Sequence, residues 1–168
     1  MEEQVFLLLG TNDGNRMANL NSAKDEIKKS VGLVAEESAI YQTAAWGKTD
    51  QPDFYNQVLL LQTTISPEAL LLHLQQIEKK LGRERKEKWG ARIIDIDILY
   101  FESEIISKPG LSVPHDRISI RRFVLVPLTE LIPDFIDPKT SKSIVEMLNN
   151  CQDTLEVTIY EKNWKIKT

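Results

Sequence analysis

The stretch Ile93–Phe101, IIDIDILYF, constrains the fold most. It is β-branched and aromatic with no Gly or Pro, the composition of a buried strand, yet two carboxylates interrupt it, Asp95 and Asp97. Side chains alternate faces along a strand, so this pair points the same way, roughly 6–7 Å apart, while Ile94, Ile96, Ile98 and Tyr100 take the other face. Like charges this close raise each other's pKa, and burying an unpaired carboxylate costs several kcal/mol. The strand must therefore meet a cluster of protein cations or a bound divalent metal here, or else stand in solvent as a salt-bridged strand.

Its upstream flank carries Arg83, Arg85, Lys86, Lys88 and Arg92 in a segment that also holds Gly82, Trp89 and Gly90. Metal held by carboxylates with phosphates held by arginines is the working pattern of phosphoryl transfer. Net charge is -4 over 168 residues, which argues against a nucleic-acid binder working by broad counterion release. Clustered cations on a mildly acidic chain suit a small anionic ligand better. Cys151 is the only cysteine, so neither an intrachain disulfide nor a cysteine metal site is available. No apolar run approaches the ~18 residues of a membrane span, and no signal segment is visible. A cytoplasmic protein forming one domain over residues 1–168 is expected, as a monomer, with no membrane or nucleic-acid partner.

Periodicity gives the element order. Val5–Leu9 is a first, central strand, and the loop Gly10–Asn15 leads from it into a helix over Arg16–Ser30 whose apolar face is Leu20, Ala23, Ile27 and Val31. Lys24, Lys28 and Lys29 point outward or lie near its end, and Gly32 ends it. A strand follows over Leu33–Tyr41, then a polar loop with Trp46, then a strand over Phe54–Thr64. Ser66–Pro67 opens a second helix with the stripe Leu70, Leu74, Ile77 and Leu81, stopped by Gly82. Beyond the Asp-bearing strand come a hairpin arm at Ile105–Ile106, a helix around Ile120–Leu125, a short helix within Lys142–Asn149, an edge strand over Leu155–Tyr160 and a charged, frayed tail. Strand, helix, strand, strand, helix, strand is the split βαβ order: an α+β, ferredoxin-like core with two helices on one face and a small C-terminal extension.

Several segments now combine: LGTN at Leu9–Asn12, the Thr43/Gly47 loop, QPDFYN at Gln51–Asn56, GRERKEKWGARIIDIDIL at Gly82–Leu99, VPH at Val113–His115 and RRFVLVPL at Arg121–Leu128. Together and in this order they resemble the 6-hydroxymethyl-7,8-dihydropterin pyrophosphokinase family of folate synthesis. That resemblance implies transfer of pyrophosphate from ATP to the pterin hydroxymethyl group, with AMP as the other product, by direct in-line attack. It implies two Mg²⁺ ions on Asp95 and Asp97, with Asp95 also beside the substrate. Arg83 and Arg92 match arginines that reach the triphosphate, and His115 and Arg121 match residues on the ATP phosphates. Glu78 and Ile98 fall on the nucleotide side, with Glu78 orienting an arginine. Phe54 and Phe123 match the aromatic faces around the pterin, Asn56 its polar edge, Thr43 a further contact and Trp89 a lid.

Departures from the usual family pattern are Ala44, Ala45 and Trp46 in the loop after Thr43, Ala91 for a proline in the lid, Asp116 for an aromatic or proline, and Gly110 for an arginine of some members. None removes a charge the chemistry needs. The competing readings are another metal-dependent enzyme using Asp-x-Asp, such as a nuclease or nucleotidyltransferase, a non-catalytic binding module, and a structural protein.

Overall fold

A computed structural model describes residues 2–45, 50–82 and 92–161. Chain order is β1 (Glu3–Thr11), α1 (Arg16–Ser30), β2 (Leu33–Glu37), β3 (Ile40–Thr43), β4 (Phe54–Thr63), α2 (Pro67–Lys80), β5 (Asp95–Phe101), β6 (Ile106–Lys108), β7 (Leu111–Val113), α3 (Arg122–Leu131), α4 (Ile144–Asn150) and β8 (Thr158–Glu161). The main sheet runs β5-β1-β4-β3-β8, and β2 pairs with β4 beside β3. β1 is central, antiparallel to β4 on one side and β5 on the other, so the expected ferredoxin-like split βαβ core is present. No described helix is long and apolar enough to cross a membrane.

α1 and α2 cover one face. Asn15 caps α1 by accepting the Ala18 N–H, and Leu20, Ala23 and Ile27 are buried. Ser66 caps α2 by accepting the Ala69 N–H, with Pro67 following, and Leu70, Leu74 and Ile77 are buried. These side chains meet Val5, Leu7, Leu9, Leu59 and Leu61 in the first core. Gly82 stops α2 in the left-handed region at φ +93. Gly32 follows α1 for another reason: a Cβ there would lie 2.3 Å from the Gln62 carbonyl oxygen, so only glycine lets the chain pass β4 this closely.

The C-terminal extension supplies a second helical layer on the opposite face. Val124, Leu125 and Leu128 of α3 and Ile144 and Met147 of α4 pack on Phe6, Leu8, Val58, Leu60 and Tyr100. α3 passes through Pro127, where the sequence reading ended its helix near Leu125. The proline forfeits one N–H bond to the carbonyl four residues back, and burial of the apolar face around it outweighs that cost. α4 carries a capping box between Ser143 and Glu146.

Three expectations are corrected. Tyr100 does not share a face with Ile94, Ile96 and Ile98, because a register shift sets Phe6 opposite Tyr100 and Leu7 opposite Ile98, leaving Leu99 as an extra residue that reverses the alternation. Tyr100 therefore joins the second core, donating its hydroxyl to Asp137 at 2.6 Å. The strand expected over Leu33–Tyr41 is broken at Ser38–Ala39, where Ser38 Oγ accepts the Val58 N–H at 3.0 Å and donates to the Ala39 carbonyl at 2.7 Å. Lys24 is tucked in rather than outward, bridging Glu37 at 3.1 Å with 12% of its side chain exposed. The edge strand is present but begins later, at Thr158. Trp46, the basic loop from Arg83 to Ala91 and the charged tail lie outside the described residues.

Candidate active site

One rung of the main sheet assembles much of the site. Gly10 on β1 pairs with Asn56 on β4 and with Asp95 on β5, and Asn56 pairs in turn with Tyr41 on β3. With strands ~4.8 Å apart, Asn56 and Asp95 stand roughly 10 Å apart across the glycine. A Cβ on Gly10 would sit 2.9 Å from Asn56 Oδ1 and 3.8 Å from the Phe54 ring, so the absent side chain leaves a shallow floor between them. Asn56 is buried and donates Nδ2–H to Thr43 Oγ at 3.2 Å, with its Oδ1 turned toward Gly10. The strand register thus brings Thr43, Phe54, Asn56 and Asp95 to one region of the sheet.

Asp97 lies one rung along, opposite Leu8, on the same face as Asp95. It also lines a cavity of about 380 Å³ that wraps the outer edge of β5, with Leu71, Ile96, Ile98 and Leu111 on its apolar side and Ser112, His115 and Arg117 on its polar side. That volume falls in the range of small-molecule sites. β5 is the last strand of the sheet, and two of its outward backbone groups are taken. Glu78 Oε2 accepts the Ile96 N–H at 2.7 Å, and the His115 N–H donates to the Leu99 carbonyl at 3.0 Å. The Asp97–Ile98 stretch between these two clamps faces the cavity. Glu78 itself is buried at 7% exposure, where its carboxylate fixes the strand edge.

Charges converge on Asp97. Burial pushes the His115 imidazole below its ordinary value, against the pull of Asp97 and with Arg121 adding to the depression. His115 Nδ1 accepts the Arg117 N–H at 3.2 Å, so the neutral ring carries its proton on Nε2 and presents a donor there. Burial, then Arg117, lowers Arg121, while Asp97 and Asp95 oppose this; the guanidinium therefore lies within electrostatic reach of both aspartates. It also stands over the Phe123 ring, 5.5 Å from its centroid, at the start of α3. Arg83 and Trp89 fall outside the described residues.

A model of the family 7,8-dihydro-6-hydroxymethylpterin-pyrophosphokinase matches residues 6–133. The chain belongs to this family. Family membership makes it a pyrophosphokinase. It is 37% identical over 147 residues to the Synechocystis 2-amino-4-hydroxy-6-hydroxymethyldihydropteridine pyrophosphokinase, covering 87% of this chain and 75% of that one. It is 40% identical over 134 residues to the Methylorubrum extorquens protein of the same name, covering 79% and 85%. Among solved structures, a Plasmodium falciparum HPPK-DHPS triple mutant superposes with a TM-score of 0.75 at 19% identity, covering 89% of this chain and 44% of that one. That likeness speaks to the fold, and the chain spans less than half of that longer protein.

Within the pyrophosphokinase scaffold, Asn12 is a site residue that motif reading did not single out. It is fully buried and ties three loops together. Its Oδ1 accepts the Arg92 N–H at 2.7 Å, its backbone N–H donates to the Arg92 carbonyl at 2.9 Å, and its Nδ2 donates to Gln51 Oε1 and the Pro52 carbonyl, both at 3.1 Å. Arg92 is thereby anchored through its backbone. A polar residue just past an apolar strand was the available signal; its partners, far away in sequence, were not. Asp116, a departure from the family pattern, lies at the cavity and is bridged by Lys139 at 3.3 Å.

Proposed function

We propose that the chain transfers the terminal pyrophosphoryl group of ATP to the hydroxymethyl group of 6-hydroxymethyl-7,8-dihydropterin, releasing AMP, by direct in-line attack of the substrate oxygen. The observation that carries this reading is the position of Asp97, which belongs at once to the wall of the β5-edge cavity and to the face that holds Asp95, Gly10 and Asn56. A nucleotide in the cavity and a flat ring on the Gly10 floor meet at the aspartate pair. Phosphoryl transfer asks mainly for alignment and charge stabilisation, so a site joining two binding surfaces at two carboxylates suits it.

The donor set fits Mg²⁺. Two hard oxygen ligands half-exposed on one strand face suit an ion completed by phosphate oxygens and water, and among the described residues no group of three or more metal-binding side chains forms an all-protein cage. Asp95 and Asp97 would hold two ions, which supply charge neutralisation on the phosphates and orientation of the attacking hydroxyl. The adenine lies against Leu71, Ile98 and Leu111. His115 donates from Nε2 to a phosphate oxygen, and Arg121 and Arg92 pair with the triphosphate through planar guanidinium forks. Phe123 and Phe54 enclose the pterin and Asn56 reads its amide edge. Arg83 joins the phosphate clamp and Trp89 covers the ring, excluding water from the transfer.

Incubation with ATP, Mg²⁺ and 6-hydroxymethyl-7,8-dihydropterin, followed by mass identification of both products, tests this directly. Pterin diphosphate plus AMP is expected. Release of ADP, or nucleotide turnover that ignores the pterin, refutes the reading.

A further inference from the structure

The first turn of α3 presents Arg121 at its cap position and Phe123 just inside. That end is poorly supplied from within. Arg121 makes no side-chain cap bond, its guanidinium being turned over the Phe123 ring. The leading N–H groups of a helix have no intrahelical acceptor and must find one elsewhere. Asp153 Oδ2 accepts the Arg122 N–H at 3.0 Å from 31 positions away, while Asp153 Oδ1 accepts the Leu155 N–H at 3.0 Å. The carboxylate is thus itself fixed by its own turn as it reaches across to the helix.

Asp153 belongs to a segment that the matched family region, residues 6–133, does not include. Residues 151–157 leave α4 without regular structure, and their alternate residues are half-buried, Asp153 among them. The segment then becomes β8, which pairs with β3 directly before Thr43 and stacks Tyr160 on Tyr55 at 4.2 Å. One continuous stretch therefore reaches both the helix turn that carries Phe123, through Asp153, and the strand that ends at Thr43, through β8.

Resting on the pyrophosphokinase reading, we propose that Asp153 is a positioning residue for the pterin. As a cap supplied from outside the helix it holds the first turn of α3, and so sets where the Phe123 ring stands over the floor. A carboxylate suits the place twice, satisfying an orphan N–H and matching the positive end of the helix dipole. A cap of purely global importance predicts a different pattern, because it weakens every ligand alike and does so independently of Phe123.

The test compares wild type, Asp153→Ala, Asp153→Asn, Phe123→Ala and the double variant Phe123→Ala/Asp153→Ala. Hydrogen exchange of the Phe123 and Val124 amides is read by NMR in the free proteins. Calorimetry gives the affinity for 6-hydroxymethyl-7,8-dihydropterin with Mg²⁺ and a non-transferable ATP analogue present, and for the analogue alone. Asp153→Ala should speed the exchange and weaken pterin binding about 5- to 10-fold, with analogue affinity changed less than about twofold. Asp153→Asn keeps an acceptor oxygen and should restore most of the pterin affinity. In the Phe123→Ala background the Asp153→Ala change should add little further loss, since both act through the same ring. Additive losses, equal losses for both ligands, an Asp153→Ala chain that does not fold, or one that binds pterin as wild type does would each overturn the proposal alone. A wild-type protein that binds no pterin overturns the functional reading and this proposal with it.

Discussion

Replacing Gly10 by alanine adds one methyl group at the centre of the proposed ring floor. The new Cβ would stand 2.9 Å from Asn56 Oδ1, closer than real Cβ contacts allow, with the Phe54 ring at 3.8 Å. The backbone of β1 is held on both sides by β4 and β5, so the Asn56 side chain has to give. Its movement sacrifices the 3.2 Å bond to Thr43, worth about 1 kcal/mol. The methyl also lifts a planar ligand off the floor, losing about 1–2 kcal/mol of contact. The lost Thr43 bond lowers stability rather than affinity, but the displaced Asn56 amide also loses about 1 kcal/mol of its bond to the ring edge, so pterin binding weakens by about 2–3 kcal/mol, roughly 30- to 150-fold. The fold should hold within about 1 kcal/mol, because alanine regains backbone entropy in a strand and only a side-chain end has moved. The cavity at the β5 edge is untouched, so nucleotide affinity should stay within about twofold. Calorimetric titration of each ligand, with chemical denaturation as the control on folding, measures all three quantities. Pterin affinity within about threefold of wild type, or equal losses for pterin and nucleotide, would refute the reasoning.

Asp95→Asn and Asp97→Asn should each lower turnover by about 10²-fold or more while the fold survives relief of the like-charge pair; normal magnesium-dependent turnover in either purified variant sinks the metal assignment. Asn12→Ala removes three side-chain bonds that join the post-β1 loop to Arg92, Gln51 and Pro52. It should cost about 2–4 kcal/mol in urea unfolding, and a cost below about 1 kcal/mol would mean the loops are held otherwise. His115 should titrate below its ordinary 6.5 in the ligand-free protein, because burial disfavours the imidazolium and Nδ1 already faces the Arg117 N–H. The unfolded chain then binds more protons, so the stability due to neutral His115 is complete above pH ~6.5 and is lost as pH falls from there through the lower folded value. An NMR midpoint at or above 6.5 would contradict this.

The elements were legible wherever their signal is local. Leu20, Ala23 and Ile27, or Leu70, Leu74 and Ile77, mark helix faces by spacing alone, and all six are buried as read. Asp95 and Asp97 share a face because alternation is a property of one strand. What escaped depends on pairs of segments. The bulge that turns Tyr100 to the opposite core exists only in the register between β1 and β5. The break at Ser38 needs Val58 as its partner, and the role of Glu78 needs the Ile96 N–H. A carboxylate near a helix C-terminus opposes the dipole, and its reason is a backbone donor that no helix-based reading supplies. The sequence places a helix only around Ile120–Leu125, and burial of Val124, Leu125 and Leu128 carries it on through Pro127.

The register also explains why the site lies where it does. On the face covered by α3 and α4, β1 shows Phe6, Leu8 and then Gly10, and β4 shows Leu60, Val58 and then Asn56. β5 makes the change one rung sooner, with Asp97 opposite Leu8 and Asp95 opposite Gly10. Each of the three strands therefore passes from apolar to polar or bare at nearly the same level. A helix laid over that level would bury a carboxylate pair and a primary amide against apolar side chains, at several kcal/mol for each unpaired group. Over Phe6, Leu8 and Val58 the same helix gains from burial. The helical layer is consequently confined to the apolar rungs, with the first turn of α3 at its margin, where Arg121 lies within electrostatic reach of the aspartates and Phe123 packs at the edge of the core. The stagger matters as well: because β5 turns polar first, it is Asp97 that reaches the cavity at the β5 edge while Asp95 stays beside the glycine floor. Exchanging the order, with an apolar residue at 97 and the carboxylates one rung further on, would leave both charges beside the glycine floor and disconnect the cavity from the proposed place of transfer.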